Sequence, residues 1–221
     1  MGDKINLALV GAGHWGKNLA RVFNELGILK TICDSSKEIL LKEAAKYPKI
    51  NTTSSFAEVL ASPDINAIAI ATQAEQHYSL AKKSLLADKH VFVEKPLSMT
   101  AQEGEDLVKI AKRQEKVLFV GHILQYHSAV QTVKRMLHEG ELGKLQYIYS
   151  NRLNLGKIRR GENILWSFAP HDISVILSLV GEEPLDVTAT GTNILHPNIA
   201  DTTVTNMKFS SGIGAHIFVS W

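Results

Sequence analysis

The segment Ile5–Gly16, which reads INLALVGAGHWG, governs how the first half of the chain is organised. Its apolar first half predicts a short buried strand. Glycine then occupies the first, third and sixth positions of the following turn, and an amphipathic pattern from Trp15 to Leu26 predicts a helix. Gly27 is suited to end that helix. A strand, a glycine-rich turn and a helix in this order are typical of a phosphate-binding unit.

An acidic residue follows at the distance that such a unit requires. Leu29–Cys33 predicts a second strand, and Asp34 stands at its end, about 20 residues after the glycine turn. Gly11 permits the tight turn, Gly13 lets the backbone approach a pyrophosphate, and Gly16 lets the helix pack closely. We expect Asp34 to bind ribose hydroxyls and to repel a 2′-phosphate, which favours NAD over NADP. The alternative is a glycine turn without a ligand.

Strand and helix patterns alternate through the rest of this half. Ser55 and Thr100 begin two of the predicted helices as capping boxes. This alternation predicts an α/β fold with a doubly wound parallel sheet, and we assign residues 1–122 to a dinucleotide-binding domain of the Rossmann type.

After residue 122 strands predominate, which predicts an α+β domain over residues 123–221 with a mainly antiparallel open sheet. The predicted strands are 145–152, 185–192, 201–209 and 213–219.

One helix interrupts the strands of this second domain. Proline suits the first position of a helix and glycine the position after its end, so we predict this helix from Pro170 to Gly181. His171 and Asp172 would then lie in its first turn. Histidine is the usual general base near neutral pH, although a capping or core histidine is the alternative. No spacing of histidines and cysteines predicts a metal site.

Charged residues directly follow another predicted buried strand. Val91–Val93 predicts a short buried strand, and Glu94, Lys95 and Pro96 follow it directly. Ligands bind at the carboxyl ends of strands in open α/β sheets, and a proline restricts the backbone of the residue before it. We therefore expect Lys95 to point into an active site. A surface turn with a solvated Glu-Lys pair is the alternative.

Two other polar groups also have two interpretations. The stretch 152–160, which begins at the end of strand 145–152, carries four basic residues, which form either a solvated loop or an anion clamp for a substrate phosphate or carboxylate. His77 either contacts the cofactor or caps a turn.

Tyr78 and Lys82 have the spacing of the catalytic pair of short-chain dehydrogenases, but they occupy a crossover helix, and we interpret that spacing as coincidence.

The composition limits the class of protein. The 221 residues are 45% apolar and 21% charged, which is ordinary for a globular chain. A net charge of +2, without a basic run between aromatic residues, does not indicate nucleic-acid binding. No apolar run reaches the ~20 residues of a membrane span. Cys33 is the only cysteine, so with no signal peptide we expect a cytoplasmic protein.

The chain resembles the glucose–fructose oxidoreductase/inositol dehydrogenase/MocA (Gfo/Idh/MocA) family along its whole length. The matching features are the glycine loop, Asp34, Ala71-Thr72 with His77, Glu94-Lys95-Pro96, Gly121-His122 and His171-Asp172. The resemblance implies an NAD-dependent oxidoreductase that transfers hydride between a sugar secondary alcohol and the nicotinamide. It also implies a second domain whose open sheet mediates oligomerisation, so we expect a homo-oligomer with a small-molecule substrate.

Within the family, Asn151–Arg160 and Trp166–Ile173 look most like the nucleotide-sugar branch. Its members are similar to UDP-N-acetylglucosaminuronic acid 3-dehydrogenases of surface-polysaccharide biosynthesis, which implies the C3 hydroxyl of a nucleotide-linked uronate as the reacting group. Many members have aspartate four residues before the catalytic histidine. This chain has Ser167 there, so His171 is expected to act without that partner. Members usually continue further, and we expect an incomplete second sheet.

The residue patterns and the resemblance together define a candidate site. The catalytic candidates are Lys95 and His171. The candidates for cofactor binding are Gly11, Gly13, His14, Trp15, Gly16, Asp34, Ser35, Thr72, His77, Glu94 and Lys95. The candidates for substrate binding are Lys95, His122, Arg152, Lys157, Arg160 and His171. Two other functions remain open: a truncated NAD-binding sugar sensor or scaffold without activity, and another small-molecule reductase on the same scaffold.

Overall fold

The computed structural model describes residues 4–154, 158 and 162–221 of the chain. The chain divides into two compact units, Met1–Gly121 and His122–Trp221.

The first unit is a six-stranded parallel sheet with helices on both faces. Its strands are β1 (Leu7–Val10), β2 (Leu29–Cys33), β3 (Asn51–Thr53), β4 (Ala67–Ile70), β5 (His90–Val93) and β6 (Leu118–Val120). Its helices are α1 (Gly16–Glu25), α2 (Lys37–Lys46), α3 (Phe56–Ala61), α4 (Ala74–Leu86) and α5 (Ala101–Arg113). The strand order β3-β2-β1-β4-β5-β6, with parallel neighbours throughout, confirms the predicted doubly wound sheet. The short strand β3 was not predicted.

The apolar pattern of the central strands explains this layering. Every residue of β1 and β4 is buried. Leu7 and Leu9 pack in one apolar cluster, and Ala8 and Val10 pack in another. Because successive side chains of a strand point to opposite faces, the two clusters cover the two faces of the sheet. β1 and β4 therefore carry only apolar side chains within the strands.

Side-chain caps begin three of these helices. Ser36, Ser55 and Thr100 each accept a hydrogen bond from a backbone N–H in the first turn, a contact that typically contributes ~1 kcal/mol. The caps at Ser55 and Thr100 confirm the predicted helix starts. The glutamate of each predicted box bonds elsewhere: Glu58 accepts from the Thr53 hydroxyl, and Glu103 accepts from the backbone N–H of Met99.

The second unit is a four-stranded mixed sheet with two helices. Its strands are β7 (Tyr147–Leu153), β8 (Pro184–Thr192), β9 (Thr202–Phe209) and β10 (Gly214–Ser220); its helices are α6 (Ser128–His138) and α7 (Ile164–Val180), with a 3₁₀ turn at Ile123–Tyr126. The order is β7-β10-β9-β8. β10 pairs with β9, and β9 with β8, in antiparallel fashion, whereas β10 and β7 are parallel. The prediction of a mainly antiparallel sheet is confirmed.

The predicted start of α7 was wrong. The helix begins at Ile164, after Asn163 caps it by accepting a hydrogen bond of 3.0 Å from the backbone N–H of Trp166. Pro170 lies inside the helix, where its ring removes one backbone hydrogen bond. Burial of Ile164 and Ile176 against the sheet, together with the cap, outweighs the proline cost of ~3 kcal/mol.

The earlier start changes where two candidate residues lie. His171 and Asp172 occupy the middle of α7 instead of its first turn, so they do not lie at its positive end. Gly181, at φ +79°, ends the helix as predicted.

Candidate active site

The glycine loop between β1 and α1 is shaped by close approaches of backbone. Gly11 has φ +87°, and a Cβ there would lie 2.9 Å from the carbonyl of Ala71. A Cβ on Gly16 would lie 2.0 Å from the carbonyl oxygen of Gly11. Gly13 differs, because beyond the residue itself and its two chain neighbours no described atom lies within 4 Å of the place of its Cβ. Two glycines are thus needed for the fold of the loop, and the third leaves its backbone open to a ligand.

Asp34 connects the end of β2 to this loop. Its Oδ2 accepts a hydrogen bond of 2.8 Å from the backbone N–H of Ala12, and its Oδ1 accepts one of 2.9 Å from Ser36. Each carboxylate oxygen has a second lone pair, so the half-buried side chain can still accept from ribose hydroxyls. Ser35 and His14 are exposed beside this loop, and Thr72 is half-buried at the end of β4.

These features fit a dinucleotide. The open backbone at Gly13 and the N-terminus of α1 suit a pyrophosphate, because backbone N–H groups and the helix dipole both favour an anion. The fixed carboxylate of Asp34 suits a ribose with free hydroxyls.

The end of β5 carries a buried carboxylate. Glu94 is 9% exposed, and its Oε1 accepts a hydrogen bond of 2.7 Å from the indole Nε1 of Trp15. Burial raises the pKa of this carboxyl above its ordinary value; the indole, the backbone N–H of Lys95 and the nearby charges of Lys95 and His77 oppose that rise. Lys95 itself is half-buried and precedes a cis peptide bond to Pro96.

His77 contacts the turn that follows Lys95. Its ring is 1% exposed at the start of α4. Nδ1 lies 2.7 Å from the carbonyl oxygen of Pro96, and Nε2 lies 3.2 Å from that of Thr72. The ring thereby joins the segments that follow β4 and β5, so the structure favours a positioning role. A direct contact between His77 and the cofactor stays a prediction.

In the second unit, the structure brings Arg152 and Asp172 together. The guanidinium of Arg152 donates to Asp172 from Nε at 2.7 Å and from Nη2 at 3.1 Å, and Ser150 donates at 2.7 Å. Asp172 is only 7% exposed. Arg152 therefore neutralises a buried carboxylate of its own chain, which leaves less of its guanidinium for the predicted substrate anion.

The other candidates for substrate binding are His122, His171, Lys157 and Arg160. His171 is half-buried in α7, and its carbonyl accepts a hydrogen bond of 2.9 Å from Ser174. Ser167 is 3% exposed on the same helix, and His122 is half-buried. Lys157 and Arg160 lie outside the described residues, so their role as an anion clamp stays a prediction.

The Tyr78–Lys82 pair forms a separate cluster. The hydroxyl of Tyr78 and the ammonium of Lys82 both donate to Oδ2 of Asp106, each at 2.8 Å. These contacts, with the bond to Asp106 as the largest cause, raise the pKa of Lys82 to about 12. The cluster lines a surface groove of about 440 Å³ between α4 and α5. An ammonium paired with a carboxylate is poorly suited to activate the tyrosine, which agrees with the interpretation as coincidence.

Two residues that contact the carboxylates of Glu94 and Asp172 were not predicted from the sequence. Gly121 was noted only for the resemblance, yet a Cβ there would lie 3.0 Å from both carboxylate oxygens of Glu94. Ser150 was not singled out, although its hydroxyl contacts Asp172. Alternation along β7 places Ser150 and Arg152 on one face of that strand, which is the one signal that could have paired them.

The described residues hold neither a candidate membrane span nor a candidate metal cluster. None of their helices combines the length and the apolar character that crossing a membrane requires. Within the same residues, no group of three or more histidine, cysteine, aspartate or glutamate side chains is placed to hold a metal ion.

Comparison with known proteins finds relatives along nearly the whole chain. UDP-N-acetylglucosamine 3-dehydrogenase of Acidithiobacillus ferrooxidans is 27% identical over 213 residues, which cover 96% of this chain and 66% of that protein. The 2,7-anhydro-N-acetylneuraminate hydratase of Escherichia coli is 27% identical over 224 residues, covering 94% and 59%. The chain thus spans less than two thirds of the length of each relative.

The structural comparison agrees. A solved structure of UDP-N-acetylglucosamine 3-dehydrogenase GnnA from A. ferrooxidans has a TM-score of 0.87 at 27% identity, with 98% of this chain and 67% of that chain covered. Residues 5–122 match the model of an oxidoreductase family with an NAD-binding Rossmann fold, and residues 130–221 match the C-terminal domain of the same family. With its glycine loop, its Glu-Lys-Pro strand end and both of its domains accounted for, the chain belongs to the Gfo/Idh/MocA oxidoreductase family.

Proposed function

We propose that the protein is an NAD-dependent dehydrogenase that acts on a secondary alcohol of a sugar, with the C3 hydroxyl of a nucleotide-linked uronate as the favoured group. The observation that carries this proposal is the end of β5. There a half-buried lysine follows a buried carboxylate and precedes a turn secured by His77, within the same unit as the glycine loop. Ligands bind at the carboxyl ends of strands in folds of this class.

The cofactor would be held by backbone and by one carboxylate. Gly11, Gly13 and Gly16 shape the loop that would take the pyrophosphate, and Asp34 would bind the adenosine ribose. When bound, NAD supplies a ring that accepts hydride from the substrate carbon. The charge of Asp34 opposes a 2′-phosphate, so NAD is expected to bind more tightly than NADP.

Lys95 is proposed to bind the reacting oxygen. As a hydroxyl is oxidised, negative charge develops on its oxygen when the proton leaves, and an ammonium donor at that oxygen stabilises the charge. The charge of Lys95 is one of the causes that oppose the rise in the pKa of Glu94, so the two groups attract each other. The backbone around Lys95 is fixed by His77, so the side chain begins from a defined position.

His171 is proposed to accept the hydroxyl proton. Histidine is the residue type most often used as a general base near neutral pH, which suits this role. The middle of α7 is a rigid position, because the helix packs on the second sheet through buried residues such as Ile176. Asp172, the next residue in α7, is neutralised by Arg152 of β7, so His171 has a paired charge as its neighbour.

Support for the substrate class comes from a relative. One relative is named for 3-dehydrogenation of UDP-N-acetylglucosamine, and the resemblance pointed to the same branch. Another relative of equal identity is named a hydratase of an anhydro-sugar, which favours one alternative: a different reaction on an unactivated sugar.

The test is a substrate panel with purified protein. NAD and NADP are titrated by calorimetry, and reduction of NAD is followed by absorbance with UDP-N-acetylglucosamine, its uronate, myo-inositol and 2,7-anhydro-N-acetylneuraminate. We expect turnover with the UDP-sugars and tighter binding of NAD. Lys95→Met should lower kcat by ~10²–10⁴-fold while NAD still binds.

Lys82→Met is the matched control. It removes an ammonium from the same unit whose partner, Asp106, lies outside the proposed site, so kcat should change by less than about twofold. Equal losses in the two variants would reject the role of Lys95. Binding of NAD without turnover of any of these sugars would instead support the sensor or scaffold function.

A homo-oligomer is proposed as the working form. The face of the second sheet opposite α7 carries exposed Tyr149, whose ring stacks on that of His216 at 5.0 Å. An exposed aromatic surface on a regular sheet suits contact with a second copy. Light scattering should give a mass above that of one chain, and Tyr149→Glu should lower it; a monomer at micromolar concentration contradicts this assignment.

A further inference from the structure

The Trp15–Glu94 hydrogen bond joins two functional segments of the first unit. Trp15 lies in the glycine loop as the residue before α1, whereas Glu94 lies at the end of β5, directly before Lys95. The indole Nε1 donates to Glu94 Oε1 at 2.7 Å. The bond therefore spans from the loop that would take phosphates to the strand end that carries the proposed catalytic lysine.

Gly121 provides the space that the Glu94 carboxylate occupies. A Cβ on Gly121 would lie 3.0 Å from both of its oxygens, so only glycine at the end of β6 leaves room for it without displacement. Gly121 is not in the left-handed region, and its backbone would accept alanine. Its N–H donates to the carbonyl of Val93 at 2.8 Å, which fixes the distance between the two strand ends.

We propose that Trp15 is a positioning residue that acts on the reaction through Glu94. Its indole holds the carboxylate at the place from which the negative charge acts on Lys95, and Gly121 provides the space for it. This assignment rests on the proposed function for its kinetic consequence. Trp15 had been predicted as a cofactor contact, and the geometry points to a second role that the phosphates do not require.

The expected effect follows from the kind of bond that is lost. A hydrogen bond from a neutral donor to a charged acceptor is among the stronger side-chain contacts, and indole is a donor only. Trp15→Phe keeps a ring in the same place and removes the N–H. Phosphates bind through the loop backbone, so NAD affinity should change by less than about threefold while kcat falls by about tenfold.

A double-mutant cycle tests whether Trp15 acts through Glu94. Trp15→Phe, Glu94→Ala and their combination are compared for kcat and for the dissociation constant of NAD. If the indole acts only through the carboxylate, Trp15→Phe should cost less than about twofold in the Glu94→Ala background. Losses in kcat that multiply would overturn the proposal.

Gly121→Ala provides a second, steric test of the same carboxylate. In the unmodified chain it should displace the Glu94 side chain and lower kcat. In the Glu94→Ala background it should have no further effect, because the obstructing oxygens are gone. An equal loss in both backgrounds would show that Gly121 acts on something other than Glu94 and would count against the proposed pocket.

A spectroscopic readout separates this inference from the proposed function. The chain has three tryptophans, so its indole N–H region should show three proton resonances, and Trp15→Phe identifies one of them. Glu94→Ala should shift that resonance upfield, whereas Glu105→Ala, at an exposed position of α5, should leave it in place. An unmoved Trp15 resonance overturns the positioning role. Absence of sugar turnover by the unmodified protein contradicts the proposed function alone.

Discussion

Replacement of Arg152 by methionine should destabilise the second unit strongly. Asp172, 7% exposed, accepts two hydrogen bonds from the guanidinium and one from Ser150. Removing one partner of a buried ion pair typically costs ~3–5 kcal/mol, because the other charge stays buried. The side chain of Arg152 is 34% exposed, so water will replace part of the lost solvation, and we expect a loss of ~2–3 kcal/mol.

The assay is equilibrium unfolding in urea with a thermal scan beside it. Methionine retains the apolar stem of the side chain, so the change isolates the charged head. For a chain of this size, 1 kcal/mol corresponds to ~2–4 °C, and the midpoint should fall by about 4–12 °C. Lys208→Met, on an exposed position of β9, is the control and should change stability by less than ~0.5 kcal/mol.

A companion variant tests the cause of that loss. Arg152→Met combined with Asp172→Asn removes the charge that would otherwise remain buried, so the pair should recover at least about half of the lost stability. The reasoning is refuted if Arg152→Met leaves the unfolding free energy unchanged and raises the KM of the sugar. That result would show a guanidinium held for the substrate, as the sequence interpretation had it.

Two further predictions concern the first unit. Gly16→Ala should abolish NAD binding in calorimetry, because a Cβ there would lie 2.0 Å from the carbonyl oxygen of Gly11. Gly13→Ala should leave the melting temperature unchanged, because its Cβ would contact no described atom outside its chain neighbours. NAD binding by Gly16→Ala would contradict the loop geometry. Because burial raises the pKa of Glu94 above 4.5, the folded state retains this proton more tightly than the unfolded chain does, so the stability of the protein relative to Glu94→Gln should fall as the pH rises from below 4.5 through the raised pKa. Urea unfolding of both proteins across that range measures the difference, and a constant or rising difference would disprove the assignment.

The parts of the fold that depend on local sequence were predictable. The glycine spacing and the following acid define the βα unit within about 30 residues, and the helix caps at Ser55 and Thr100 depend on neighbours three residues away. The start of α7 shows the limit of the same reasoning. Pro170 is a strong local signal for a helix start, but burial of Ile164 in the sheet-facing cluster begins the helix six residues earlier.

The contacts that organise the candidate site depend on long-range geometry. Asp172 contacts Arg152 because α7 packs on the second sheet. Nothing in the local sequence indicates which basic residue of 152–160 would form an ion pair with this aspartate. Likewise, Trp15 meets Glu94 because β1 and β5 both lie beside β4 in the sheet. The sequence identifies the residue types at each strand end, and only the strand order decides which of them touch.

Three carboxylates near the functional segments illustrate how the partner sets the role. Asp34 is held by two backbone N–H groups and Asp172 by a guanidinium, so the first is fixed beside the loop and the second is neutralised. Glu94 is buried with donors that are neutral, an indole and a peptide N–H, and the cations near it do not cancel the cost of burial, which is why its pKa is raised. A carboxylate in that condition responds to any charge brought near it. Glu94 also lies directly before Lys95, and the Trp15 indole connects it to the glycine loop, so one buried carboxylate contacts the loop and adjoins the proposed catalytic lysine.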